Sequence, residues 1–186
     1  MTTETVRALF VTQANKKPTR WQRGFIAVYL AVGVIGLAIV LISWLKTHEL
    51  AGLFLFVGAA YLLLGLWFVY TVHNERACAR LMLQALDDGG SSLAWVYIER
   101  TSGQRESTSL HYCFTSHKHG ELFADDQTVH ELFHFFTRFT AQLSTGYTPE
   151  LQKQFRRVPN SLKTNPVRGS QIKYTEIPAD NPSNGW

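Results

Sequence analysis

The chain has 186 residues and a formal net charge of +4, and 46% of its residues are hydrophobic. Between residues 24 and 72 the only Asp, Glu, Lys, Arg or His residues are Lys46, His48 and Glu49. The residues outside this range can bury only a modest core, which excludes a large multi-lobed enzyme. The positive charge favours anionic partners, and for a membrane protein we expect a lipid surface rather than nucleic acid.

Two apolar segments follow a polar, basic N-terminal arm at residues 1–23. The segments, 24–45 and 50–72, are each long enough for a helix to cross a bilayer core of about 30 Å. The short turn at residues 46–49 can join only antiparallel neighbours. The sequence therefore predicts a two-helix transmembrane hairpin over residues 24–72.

Basic residues flank both apolar segments on the side away from the turn, as expected for cytoplasmic flanks. We therefore predict a multi-pass protein of the cell inner membrane with both termini in the cytoplasm. Small residues in the two helices are candidate surfaces for homo-oligomer formation. The flanking basic residues are Lys16, Lys17, Arg20, Arg23, Arg76 and Arg80, and the small residues are Ala27, Ala31, Ala38, Gly58, Ala59 and Gly65.

A helical stalk over residues 73–90 is predicted to lead into a small α+β cytoplasmic domain over residues 91–158. Alternating and turn-bounded patterns predict strands at residues 93–100, 107–116 and 121–124, joined as a three-stranded antiparallel meander. An amphipathic helix at residues 127–143, capped by Asp125 or Asp126, should lie across this sheet. His111 and Cys113 share the other face of the second strand, where we expect them to pack.

The last part of the domain is a short basic helix at residues 150–158, followed by a tail at residues 159–186. The tail is rich in Pro, Asn and Ser, which is typical of a flexible segment. The basic helix carries Lys153, Arg156 and Arg157, which we predict to lie at the membrane surface. Leu151 and Phe155 of the same helix are candidates for shallow insertion between headgroups.

One motif points to catalysis: His130, Glu131 and His134 form the pattern HExxH on the predicted amphipathic helix. This motif resembles the active-site helix of zinc metallopeptidases. The resemblance implies that His130 and His134 bind zinc and that Glu131 acts as the catalytic base. A third ligand is not identified, although Glu150 is the nearest downstream glutamate. A metal site that combines His117 and His119 with a helix histidine is a further alternative.

The order of elements resembles that of uncharacterised bacterial two-pass inner-membrane proteins with small cytoplasmic domains. We predict a membrane-anchored, non-enzymatic interaction module without a cofactor. It would present its domain at the cytoplasmic leaflet and bind anionic lipid headgroups, a protein partner or its own copy. The alternative is a zinc-dependent membrane metallopeptidase that uses the HELFH motif.

Overall fold

Three helices open the chain in the computed structural model, which describes residues 1–47, 52–102, 106–169 and 172–176. They are α1 (Thr3–Asn15), α2 (Arg20–Thr47) and α3 (Gly52–Asp87). Both α2 and α3 are long and apolar enough to cross a membrane, and only 11% of the most apolar part of each is buried. Of the predicted turn at 46–49, Lys46 and Thr47 belong to α2, whereas His48 and Glu49 lie outside the described residues.

Glycines bring α2 and α3 close together within the hairpin. A Cβ atom added at Gly36 would lie 2.9 Å from the Cα of Gly58, and one at Gly33 would lie 2.8 Å from the backbone nitrogen of Leu62. Such short distances exclude a larger side chain unless the helices move apart. Gly58 and Gly65, two of the residues predicted for self-association, therefore pack inside the hairpin of one chain. Ala27, Ala31 and Ala38 remain exposed on α2.

The first residues are not the polar arm that the sequence predicts, because α1 packs into the core of the C-terminal region. Val6 and Phe10 of α1 are fully buried. The ring of Phe10 meets the ring of Tyr112 edge-on, with centroids 5.4 Å apart. Val6, Phe10 and Ala14 recur at four-residue intervals, which places all three on one helix face.

The chain accordingly forms two compact units. One, the globular unit, contains Met1–Ala14 and Ala77–Trp186, and the other, the hairpin unit, contains Asn15–Arg76. The predicted stalk at 73–90 differs from the structure, because the end of α3 belongs to the globular unit. Its buried side chains are Cys78, Ala79, Met82, Ala85 and Leu86.

The C-terminal elements form a sheet and three further helices. The strands are β1 (Leu93–Ser102), β2 (Ser107–Phe114), β3 (His119–Phe123), β4 (Ser144–Thr145) and β5 (Lys173–Glu176), and the helices are α4 (Asp126–Phe139), α5 (Pro149–Arg157) and α6 (Ser161–Thr164).

The small α+β domain is confirmed, but a three-stranded antiparallel meander is not. The sheet is mixed and has five strands, because β4 and β5 both pair parallel to β1. Strands β1, β2 and β3 pair antiparallel in chain order. Strand β4 has two residues and β5 has four, so neither is long enough to produce a clear alternating pattern. Gly103, within the predicted turn between the first two strands, lies outside the described residues.

Strand β1 contributes to a core on each face of the sheet. On one face Val96 and Ile98 belong to a core completed by α1, the end of α3 and α4. On the other face Trp95 and Tyr97 pack with Leu151 and Phe155 of α5 and Leu162 of α6. This arrangement explains why both faces of β1 are apolar in sequence.

The described part of the predicted tail, 159–186, is ordered into the domain. Leu162 of α6 is fully buried, Arg168 forms a parallel bridge with Thr145, and β5 extends the sheet. These elements are held by long-range contacts, which composition and periodicity do not reveal. Residues 170–171 and 177–186 lie outside the described part.

Replacing Phe10 with Ala should lower the free energy of unfolding of the globular unit by about 3–5 kcal/mol, because a buried ring is lost. The control Val11→Ala, on the exposed side of α1, should change it by no more than about 0.5 kcal/mol. Urea unfolding of the full chain in mild detergent, followed by tryptophan fluorescence, measures both. Equal effects of the two substitutions would contradict the packing of α1 described above.

Candidate functional site

Helix α4 places the polar residues of the HELFH motif on the side away from its buried stripe, whereas Leu132 and Phe133 of the motif belong to the core. Asp125 caps the helix, since its side chain accepts a hydrogen bond of 2.9 Å from the backbone N–H of Thr128. The buried side chains of α4 are Val129, Leu132, Phe133 and Phe136. Glu131 and His134 are therefore exposed, and His130 is half-buried.

The partners of the motif residues are local. The Nε2 atom of His130 lies 3.9 Å from the Oδ2 atom of Asp126, and the carboxylate of Glu131 accepts a hydrogen bond of 3.1 Å from Gln127. Glu131 and His134 line an open depression together with Arg138. Glu131 and His134 thus face space that a ligand can enter.

The described residues do not complete a zinc ligand set around the motif. Glu150 lies in the first turn of α5, which packs on the sheet face opposite α4. His117 is also near α5, with its ring centroid 6.1 Å from that of Phe155. Within the described ranges, no group of three or more His, Cys, Asp and Glu side chains is arranged to hold a metal ion. The zinc site at His130 and His134 stays a prediction.

A polar cluster that sequence analysis missed lies at one end of the sheet, on the face that carries the second core. It consists of Glu99 from β1, His111 from β2, Glu121 from β3 and Lys173 from β5. The Nε2 atom of His111 is 3.1 Å from Glu99 and 3.2 Å from Glu121. The Nζ atom of Lys173 donates to Oε1 of Glu99 at 2.8 Å. One imidazole and one ammonium thus connect four strands.

The surroundings favour the charged form of both carboxylates. Burial raises the pKa of Glu99, but hydrogen bonds from Lys173 and Thr175 and the charge of His111 outweigh it, so the pKa is lower than usual. Burial likewise raises the pKa of Glu121, and hydrogen bonds from His111 and Ser109 lower it below the usual range. Pairing therefore outweighs desolvation at both positions.

Stacked rings fix the position of His111. Its ring centroid lies 4.8 Å from that of Tyr97, with an interplanar angle of 7°. Tyr97 in turn stacks with Trp95, and the centroids of these two rings are 4.4 Å apart. The indole N–H of Trp95 donates to the carbonyl of Gly146 at 2.6 Å. His111 therefore has the packing role that the sequence predicts, but it also joins two carboxylates, which the sequence analysis did not foresee.

The signal for this cluster is present in the sequence but weak. Glu99 occupies the same alternating face of β1 as Trp95 and Tyr97, so a charged residue follows two aromatic residues along one face. Its partner from β5 is more than seventy residues away in the chain. No local pattern connects such distant residues.

Helix α5 forms a basic face. Thr148 caps this helix by accepting a hydrogen bond of 3.2 Å from the N–H of Leu151. Lys153, Arg156 and Arg157 are exposed. Leu151 and Phe155 are buried in the second core, so the expectation that they insert between headgroups is wrong.

Two cations that follow α5 have partners inside the globular unit. Lys163 donates to the carbonyls of Gly90 and Ser91, and burial lowers the pKa of its ammonium group. Arg168 donates to the carbonyl of Ala141 at 3.5 Å. Lys163 is therefore directed towards the globular unit, whereas Arg168 remains exposed beside the cations of α5.

Comparison of the chain with protein-family models, with curated proteins and with solved structures finds no match. Function must therefore be argued from the residues of this chain. The resemblances to two-pass membrane proteins and to zinc metallopeptidases stay predictions.

Replacing Glu99 with Gln should destabilise the globular unit at neutral pH, because the folded state then loses a carboxylate paired with Lys173 and His111. A carboxyl group whose pKa is lowered by folding stabilises the protein above its ordinary pKa of 4.5. This stabilisation disappears as the pH falls through the lowered folded-state pKa. The difference between wild type and Glu99→Gln in urea unfolding should therefore shrink as the pH falls below 4.5. A difference that stays constant with pH would contradict the ionic role of Glu99.

Proposed function

We propose that this chain is a membrane-anchored, non-enzymatic interaction module. In this proposal the hairpin unit crosses the cell inner membrane twice and both termini lie in the cytoplasm. The globular unit then works at the cytoplasmic leaflet, where it binds anionic headgroups or a protein partner.

The observation that carries the proposal is the core shared by the two ends of the hairpin. Helix α1 precedes the first apolar helix, and the strands follow the second. Nevertheless Val6 and Phe10 lie in one core with Leu110 and Tyr112. Segments that share a core must lie on the same side of a membrane, and two crossings return the chain to that side. The shared core therefore supports a two-pass arrangement.

The surface of the two long helices supports insertion into lipid. Large apolar side chains such as Phe56 and Leu53 are 75% and 73% exposed. In water, so much contiguous apolar surface would favour aggregation, whereas hydrocarbon chains solvate it. The basic residues that flank the segments support a cytoplasmic location for the globular unit.

The basic face of α5 supports binding to anionic headgroups. Lys153, Arg156 and Arg157 are exposed and form no ion pair with any described residue. Each cation close to an anionic leaflet contributes about 1 kcal/mol of attraction. The attraction is electrostatic alone, since the apolar side of α5 is buried.

Cysteine accessibility tests the membrane arrangement. With Cys78 and Cys113 buried, single cysteines placed at Glu4, Lys46 and Ser116 should report their own surroundings. We expect a membrane-impermeant maleimide applied to spheroplasts to label the Lys46 position, and to label Glu4 and Ser116 only after lysis. Labelling of Glu4 and Ser116 from opposite sides would exclude the two-pass arrangement.

Charge reversal on α5 tests the headgroup contact. In lipid nanodiscs, amide hydrogen exchange of α5 should be slower with phosphatidylserine present than with phosphatidylcholine alone. Arg156→Glu with Arg157→Glu should abolish this difference, because about 2 kcal/mol of attraction is removed and replaced by repulsion. Lys118→Glu with Arg138→Glu makes the same charge change elsewhere and should preserve it. Equal exchange of the wild type in both lipids would refute the contact.

Metal content separates the metallopeptidase alternative from the module. The alternative is supported by the HELFH motif and by the open depression beside Glu131 and His134. It requires a third ligand that the described residues do not supply. Chain purified without chelators should contain less than about a tenth of a zinc ion per molecule if the module proposal holds. Stoichiometric zinc that is lost in His130→Ala would instead favour the peptidase.

A further inference from the structure

The two edges of the sheet are covered in different ways. At the β3 edge, helix side chains bond to the strand backbone: Gln13 of α1 donates to the carbonyl of Glu121 at 2.8 Å, and Cys78 of α3 donates to that of His119 at 3.1 Å. An edge whose carbonyls are bonded in this way is blocked against another strand. Along the other edge, that of β1, the described part of the chain pairs through the short strands β4 and β5.

Strand β4 is an integral part of the fold. Ser144 and Thr145 are buried, and the hydroxyl of Ser144 donates to the carbonyl of Leu162 at 2.8 Å. The backbone N–H of Val167 donates in turn to the same hydroxyl at 3.1 Å. Displacing β4 would therefore disrupt the second core.

Strand β5 is attached in a more superficial way. It pairs with residues Glu99 to Ser102 of β1, and Tyr174 at its centre is 67% exposed. Its side-chain bonds converge on one carboxylate: Lys173 and Thr175 both donate to Oε1 of Glu99, at 2.8 and 2.6 Å. The half-buried Ile172 just before the strand packs against the first core, and β5 itself is held by backbone pairing and by the contacts of Lys173 and Thr175.

The receiving surface is suited to a lysine side chain. The Nζ atom of Lys173 lies between the carboxylate of Glu99 and the ring of Tyr147, 5.6 Å from the ring centroid. The side chain of Glu99 is only 13% exposed. A carboxylate and an aromatic face together recognise an ammonium group through charge and cation–π attraction.

We propose that the β1 edge at Glu99–Ser102 is a strand-addition site for an extended, lysine-bearing segment of a partner protein, and that β5 is its intramolecular competitor. Backbone pairing would supply affinity, and Glu99 with Tyr147 would select the lysine. The tethered β5 competes at a high effective concentration, so a partner must bind better than β5 does. This inference rests on the proposed function and deepens it, because it names the class of partner that the interaction module binds.

A peptide with the sequence of residues 170–177 provides the probe. Labelled with fluorescein, it is titrated in mild detergent against the wild-type chain, a chain ending at Gly169, and full-length Lys173→Glu. Lys173→Glu places a second carboxylate beside that of Glu99, and the repulsion should release β5 without shortening the chain. Lys118→Glu is the matched control, because it makes the same charge change in an exposed turn.

Both the shortened chain and Lys173→Glu should bind the peptide at least about tenfold more tightly than the wild type and Lys118→Glu. A peptide carrying Gln in place of Lys173 should bind at least about tenfold more weakly to the opened variants. If the shortened chain does not fold, Lys173→Glu decides.

Three outcomes would overturn the inference: no peptide binding to a folded opened variant, equal binding of the Lys and Gln peptides, or a dimer of the wild-type chain that is lost when Lys173→Glu releases β5. The dimer would show that β5 pairs with a second copy. If peptide binding fails but cysteine labelling gives the expected pattern, the strand-addition site is refuted and the membrane arrangement is unaffected. If cysteine labelling contradicts the two-pass arrangement, peptide binding still tests the strand-addition site by itself.

Discussion

The packing of α1 against the C-terminal sheet is the contact on which the organisation of this chain depends. Burying one phenylalanine side chain stabilises a fold by about 1.5–3 kcal/mol, and Phe10 is joined by Val6 and Ala14 on the same helix face. This contact makes the globular unit discontinuous in sequence, with the hairpin unit inserted between its two parts. The first of its two cores therefore combines side chains from before and after the hairpin unit.

Both helices of the hairpin unit lead into or out of segments of the globular unit. In the proposed membrane arrangement, α3 continues from the apolar segment into the core without a break in the helix, while α1 returns to that core from the other end. The globular unit is then attached to the membrane by two connections instead of one.

Strand β1 organises the globular unit, because among the described strands it pairs with three others, β2, β4 and β5. Its apolar first half separates two cores, and its second half carries Glu99 into the polar cluster. In that cluster each carboxylate is partnered by a cation or hydroxyl of the chain, so the cost of desolvation is offset by pairing. The unit thus has a firmly packed end and a polar end, where β5 is attached.

Local patterns in the sequence determined the two long apolar helices, the amphipathic helix α4 with a cap at Asp125 or Asp126, and the order of β1, β2 and β3, and the structure assigned the cap to Asp125. These features depend on residues within a few positions of one another, through hydrophobic length, helical spacing and alternation. The exposure of Glu131 and His134 on α4 also follows from the helical spacing of its buried side chains.

Only the tertiary structure decided the place of α1, the pairing of β4 and β5 with β1, and the meeting of Glu99, His111, Glu121 and Lys173. Each of these depends on contacts between residues that are distant in sequence. The whole hairpin unit separates Phe10 from Tyr112 in the sequence, and α4, α5 and α6 separate Glu99 from Lys173. A local pattern indicates which residues prefer burial or pairing, but the partner of each residue is selected by the packing of the complete chain.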